Sequence, residues 1–171
     1  MKKSILELQS IIAKYAERLN RLIEDEWTCK PNRAKWSKKE VLGHLIDSAQ
    51  NNIRRFIVAQ FDDQSQIIYV QDEWVSAANY QNYAIIDLIS LWILLNKHVY
   101  VVLKNVPAGV EENLCNTGKM RSIKFLAQDY NKHLLHHLHQ LLDLESIPYP
   151  WSIILFIRAL PPGFMADHIV K

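Results

Sequence analysis

The sequence predicts an all-α fold, a four-helix bundle with a long crossover connection. Three observations carry this. Four long segments place apolar residues at helical spacing. Only 4 glycines occur in 171 residues, too few for a turn-rich β fold or a Gly-rich phosphate loop. With 49% apolar and 22% charged residues, the composition is that of one globular domain.

The first helix is expected over about Ser4 to Trp27. Ile5, Leu8, Ile11, Ile12, Tyr15, Leu19 and Leu22 share a face, and Pro31 lies beyond its end. The second opens on Ser37-Lys38-Lys39-Glu40, a capping box in which Ser37 and Glu40 satisfy each other's backbone amides. Trp36 and Val41 flank it as a hydrophobic staple, and the helix is expected to reach about Gln60. Phe61 to Tyr83 reads as a connection, with Trp74 on a short helix. A connection of that length marks function or a bundle crossover. The third helix runs from about Ala84 to Asn105 and is stopped by Pro107 and Gly109. Its apolar run contains Asp87, Asn96, Lys97 and His98, so it reads as a buried bundle helix rather than a membrane span. The fourth starts at an N-cap, Ser122, and runs to about Asp143. Residues 1–147 form the bundle, and 148–171, with four prolines and an apolar stretch, form an extension to which no role is given.

Charge and targeting signals set further expectations. A net charge of +2 gives no reason to expect nucleic-acid binding. Glu7, Lys14 and Glu17 interrupt the first apolar stretch, so it is no signal peptide. Cys29 and Cys115 form no CxxC pair, as in a reducing compartment. The expectation is a cytoplasmic protein without a membrane or nucleic-acid partner.

Four of the 7 histidines fall between His133 and His139. His133 and His137 are four apart on the fourth helix and lie on the arc of Leu126, Tyr130 and Leu141, so they face the bundle interior. His136 and His139 point away and are expected to be more exposed. Two imidazoles one turn apart can chelate a single ion. No glutamate lies between them, so the HExxH motif and its general base are absent. His44 on the second helix is the best third ligand, with His98 in reserve. Three histidines leave a position open for water or substrate, as in catalytic sites. Neutral imidazole suits Zn, Ni, Fe or Cu, with Zn or Ni foremost. A structural or solvated histidine cluster is the competing reading.

The stretch from Trp36 to Ser48, continued by Asn51 to Phe56, resembles the second-helix motif of the DinB/YfiT-like superfamily. Asp129 to Gln140 resembles its last-helix motif, and the acidic and aromatic residues around Trp74 are similar to one branch of it. The resemblance implies a four-helix bundle holding a divalent metal on three histidines. By position these are His44, His133 and His137, the triplet that helix geometry also selects. It implies as well that some relatives are transferases or isomerases using a low-molecular-weight thiol, and that bundles of this kind often pair as homodimers. Around the site, Asp47 is expected to orient His44 or bind a basic group. Asn52 and Arg55 could bind an anionic substrate or a thiol carboxylate, and Tyr130 could contact a ligand. Each of these four also has a purely structural reading. The expected function is a metal-dependent enzyme on a small-molecule substrate, of thiol S-transferase or hydrolase type. A non-catalytic metal-binding stress or accessory protein is the alternative.

Overall fold

The computed structural model describes residues 1–149. Within them the chain forms α1 (Lys2–Leu19), α2 (Glu24–Thr28), α3 (Lys38–Val58), β1 (Ser65–Gln66), α4 (Gln71–Ala78), α5 (Ile85–Lys104), β2 (Leu114–Asn116), β3 (Met120–Ser122) and α6 (Ile123–Leu141). The expected extension from residue 148 lies outside the described residues except for Pro148 and Tyr149.

The four long helices α1, α3, α5 and α6 make the bundle. α1 and α3 each pack against both α5 and α6. Their apolar faces meet in one core in which Leu8, Leu19, Leu42, Leu45, Phe56, Leu88, Trp92, Leu134 and Leu138 are fully buried. The capping box forms as the sequence predicts. Ser37 Oγ accepts from the Glu40 amide at 3.2 Å, and Glu40 accepts from the Ser37 amide at 2.8 Å. At the start of α6 the Ser122 hydroxyl accepts from the Phe125 amide at 3.2 Å.

The structure departs from the expectation at two places. The first helix is not continuous to Trp27. Asn20 turns its side chain onto the Ala16 carbonyl at 2.8 Å and ends α1 there. The chain then folds back through α2, which buries Trp27 completely. No glycine or proline marks this break. The second departure is a three-stranded sheet joining the two long connections. β1 pairs parallel with β2 in the register Ser65↔Cys115, and β2 pairs antiparallel with β3 in the register Leu114↔Ser122.

α5 is long and apolar enough to cross a membrane by length and composition. Here it is a bundle helix with one face covered. Leu88, Trp92, Val99 and Leu103 are buried, while Ile86, Leu94 and Val101 are exposed.

The crossover is seated on α3 at one point. Tyr80, in a single turn of 3-10 helix, lays its ring against Gly43. A Cβ at position 43 would fall 2.1 Å from the Tyr80 ring, so only glycine admits this contact. One turn further along α3, the Tyr80 hydroxyl donates to Asp47 Oδ1 at 2.5 Å.

Candidate metal centre

α3 and α6 meet along a seam, and the histidines lie within it. His44 is buried on α3, and His133 and His137 are partly buried on successive turns of α6. One ring nitrogen from each lies within 4.8 Å of the other two. The Nε2 atoms of His44 and His133 are 2.9 Å apart. Two unprotonated nitrogens cannot face each other at that distance without a proton or a cation between them.

The surroundings are compatible with one pair of tautomers. His133 Nδ1 lies 3.4 Å from the Ser48 hydroxyl, and His137 Nδ1 lies 3.0 Å from Gln140 Oε1. The Gln140 oxygen can only accept, and the Ser48 hydroxyl can accept. A proton on Nδ1 of each ring makes both bonds and leaves both Nε2 lone pairs unprotonated, the usual support for a metal-binding imidazole. His44 Nδ1 has no partner among the described residues, and the Trp36 ring packs on His44 at 5.1 Å.

The rings are held neutral. Burial pushes His44 down to about 3, and the neighbouring His137 adds to this. Burial is also the main cause for His137, lowered to about 4, and for His133, which lies well below the usual histidine range. Three neutral nitrogens converging in a desolvated seam fit a borderline divalent ion.

The other expected site residues take different parts. Asp47 is 2% exposed and does not orient His44. It accepts from Tyr80 instead, and its Oδ2 has no partner among the described residues. Burial therefore raises its carboxyl to about 6, although the Tyr80 hydrogen bond opposes this. Asn52 donates to the Ser48 carbonyl at 2.9 Å. Arg55 donates twice to the Ile67 carbonyl, at 3.1 and 3.0 Å, and stacks over Tyr69. Arg55 thereby braces α3 against the start of the crossover, while Asn52 bonds within its own helix. Tyr130 is core: its hydroxyl donates to buried Asn96 at 2.7 Å, away from the histidines. His98 is exposed on α5 and stands outside the group.

His136 and His139 stand outside the converging group and are half-buried rather than solvated. Each directs Nδ1 to a carbonyl of the segment following α6, that of Ile147 or Glu145, at 2.7 Å. Residues without an earlier role also border the site. Gln140 could have been found, since it lies three residues after His137 on one helix face. Tyr149 comes from an irregular segment, and no periodicity announces it. Trp36 and Gln140 also help line a cavity of about 370 Å³ with Glu26, Lys38, Val41 and Leu141, and none of the three histidines is among its lining residues.

A family model described as the DinB superfamily matches residues 7–141. Among solved structures, YfiT from Bacillus subtilis is described as a probable metal-dependent hydrolase with an unusual four-helix bundle topology. It is similar over 83% of this chain and 83% of its own, with a TM-score of 0.75 and 16% identity. A mycothiol-dependent maleylpyruvate isomerase is similar over 85% of this chain, with a TM-score of 0.66 and 11% identity. This chain covers 61% of that protein's length. Both likenesses concern the fold. No curated protein matches the sequence.

Proposed function

Because the chain belongs to the DinB superfamily, we propose that it is a divalent-metal enzyme that transfers a low-molecular-weight thiol to a small electrophilic substrate. The observation that carries this reading is the set of three neutral imidazoles converging in the α3–α6 seam, two of them with Nδ1 anchored. A bound Zn or Ni ion supplies Lewis acidity that favours the thiolate of a ligating thiol. Ser48 and Gln140 fix the rings of His133 and His137, and Trp36 shields His44 from water. A neighbouring cavity, lined by Trp36 and Gln140 together with Glu26, Lys38 and Val41, offers room for a small substrate beside the residues that contact His44 and His137.

Thiol transfer is preferred to hydrolysis for a reason internal to the site. Hydrolysis asks for a general base, and among the described residues no carboxylate is hydrogen-bonded to the three histidines; Asp129 accepts from Tyr149, and Asp47 faces Tyr80 through Oδ1. A thiol brings its own nucleophile. The likeness to YfiT, described as a probable hydrolase, favours hydrolysis as the second reading. Two further elements belong to the proposal. The exposed apolar face of α5 supports a homodimer, and the free state of Cys29 and Cys115 supports a cytoplasmic protein.

The test is a panel of small thiols with electrophilic acceptors, run beside a panel of esters on Zn- and Ni-loaded protein with His44→Ala as control. Metal-dependent thiol consumption lost in His44→Ala is expected. Turnover on esters alone selects the hydrolase. Metal uptake with no turnover on either panel selects a non-catalytic metal-binding protein.

A further inference from the structure

Residues 143–149, beyond the C-cap Leu142 of α6, are tied back onto it. Asp143 takes a left-handed backbone conformation at φ 50°. The Leu144 amide then donates to the His139 carbonyl at 2.9 Å and the Asp143 amide to the Gln140 carbonyl at 3.5 Å, the pair of bonds of a Schellman cap. This reverses the chain, and it runs back along α6. The pins follow in order: His139 holds Glu145, His136 holds Ile147, and Tyr149 donates to Asp129 Oδ2 at 2.7 Å. The lengths agree. The four residue steps from Glu145 to Tyr149 span about 14 Å when extended, and the ten helical steps from His139 back to Asp129 rise about 15 Å. The helix ends at residue 141 and the family match ends with it. Neither therefore accounts for a segment anchored at every second residue.

The reversal has one result at the histidines. The Tyr149 ring lies edge-on to His133 with centroids 5.5 Å apart, and 6.0 Å from His136. Its only hydroxyl proton is given to Asp129, so the phenol is fixed in place. We propose that residues 143–149 form a built wall of the ligand position beside His133, and that Tyr149 is its specificity-determining residue, limiting the bulk of the ligand admitted there. His136 and His139 are the positioning residues that hold this wall. The inference rests on the metal reading of the triad and adds which segment shapes its open side.

Cobalt-loaded protein tests it through the visible Co(II) spectrum, titrated with 2-mercaptoethanol as a slim thiol and 4-mercaptobenzoate as a bulky one. Tyr149→Ala is expected to keep its cobalt and to bind the bulky thiol roughly tenfold more tightly, with the slim thiol changed by less than about twofold. Tyr149→Phe keeps the ring and is expected to match the wild type with both thiols. His136→Ala loosens the wall and shifts the bulky thiol in the same direction by a smaller factor. Equal affinities in wild type and Tyr149→Ala overturn the wall and leave the metal site standing. So does loss of cobalt from Tyr149→Ala, which would make the residue a support of the triad. Failure of the wild type to take up cobalt overturns the metal reading, and this inference with it.

Discussion

The two seams of the bundle are built from opposite materials. On α1 and α5 the buried residues are mostly apolar, Leu8, Ile11, Ile12, Leu88, Trp92 and Val99 among them, with Ser4 and Asn96 the polar exceptions and no charged side chain. Between α3 and its neighbours the same depth holds His44, Asp47, Ser48, Asn51 and Asn52. The apolar seam stabilises by excluding water. The polar seam desolvates groups that lose by it, and His44 Nδ1 and Asp47 Oδ2 have no compensating partner among the described residues. A bundle that carries such groups in one seam depends on the other for its stability. On the proposed reading, a bound ion would supply the missing partner in the polar seam.

The comparison breaks most visibly at Trp92, which is fully buried. Trp92→Ala is expected to cost about 3–5 kcal/mol in urea unfolding. Trp92→Phe should cost less, since the indole nitrogen has no partner among the described residues to lose. An alanine effect under about 1 kcal/mol would mean the apolar seam is not the support described here.

Metal should reverse the weakness of the other seam. At about a thousandfold excess over Kd, a bound ion adds about 4 kcal/mol to the wild type. His44→Ala, His133→Ala and His137→Ala should gain nothing, while His136→Ala and His139→Ala should retain the gain. Melting temperatures with and without Zn or Ni, beside elemental analysis, decide this. An equal response from all five variants would contradict the assignment of the helix faces.

Asp47 gives a smaller, pH-dependent effect. Its folded carboxyl titrates at about 6 against an ordinary value of 3.8. Below 3.8 both folded and unfolded forms are protonated and burial of the group carries no charge penalty. Between 3.8 and 6 the unfolded form ionises while the buried carboxyl of the folded form keeps its proton, so stability falls by about 2–3 kcal/mol over that window and levels off above 6. The difference in stability between wild type and Asp47→Asn should therefore change by that amount from pH 4 to pH 7, with the wild type losing ground. The histidines act in the opposite sense and cancel in this difference. A flat difference would show that Asp47 is solvated.

The least effect is expected at the end of α6. Asp143→Gly relieves the left-handed backbone and gives up an exposed ion pair with Lys38. A net gain of about 0.5 kcal/mol should appear in thermal unfolding. A loss would mean that the Lys38 contact outweighs the backbone relief.

What the sequence disclosed followed from short-range rules. The capping box at Ser37, the stripe of α5 and the inward pair His133 and His137 are fixed by spacing along a single helix. His44 could be proposed because facing helices in a bundle come within side-chain reach. The missed features depend on residues distant in the chain. Asp47 was expected beside His44, but Tyr80, 33 residues away, claims it. Tyr130 shares the histidine arc in sequence, yet Asn96 draws its hydroxyl towards α5. Strands of two or three residues are too short to show alternation. The break after Leu19 rests on an asparagine cap with no glycine or proline to announce it.

The contact of Tyr80 with Gly43 bears on the freedom of the two helices that carry the histidines. His44 is the next residue, and its helix is braced from outside by an aromatic plate at Gly43 and a hydroxyl at Asp47. Among the described residues, α6 has no such prop beside His133 and His137 from the crossover. On the proposed metal reading, α3 would be the fixed jaw and α6 the one that yields to a larger or smaller guest.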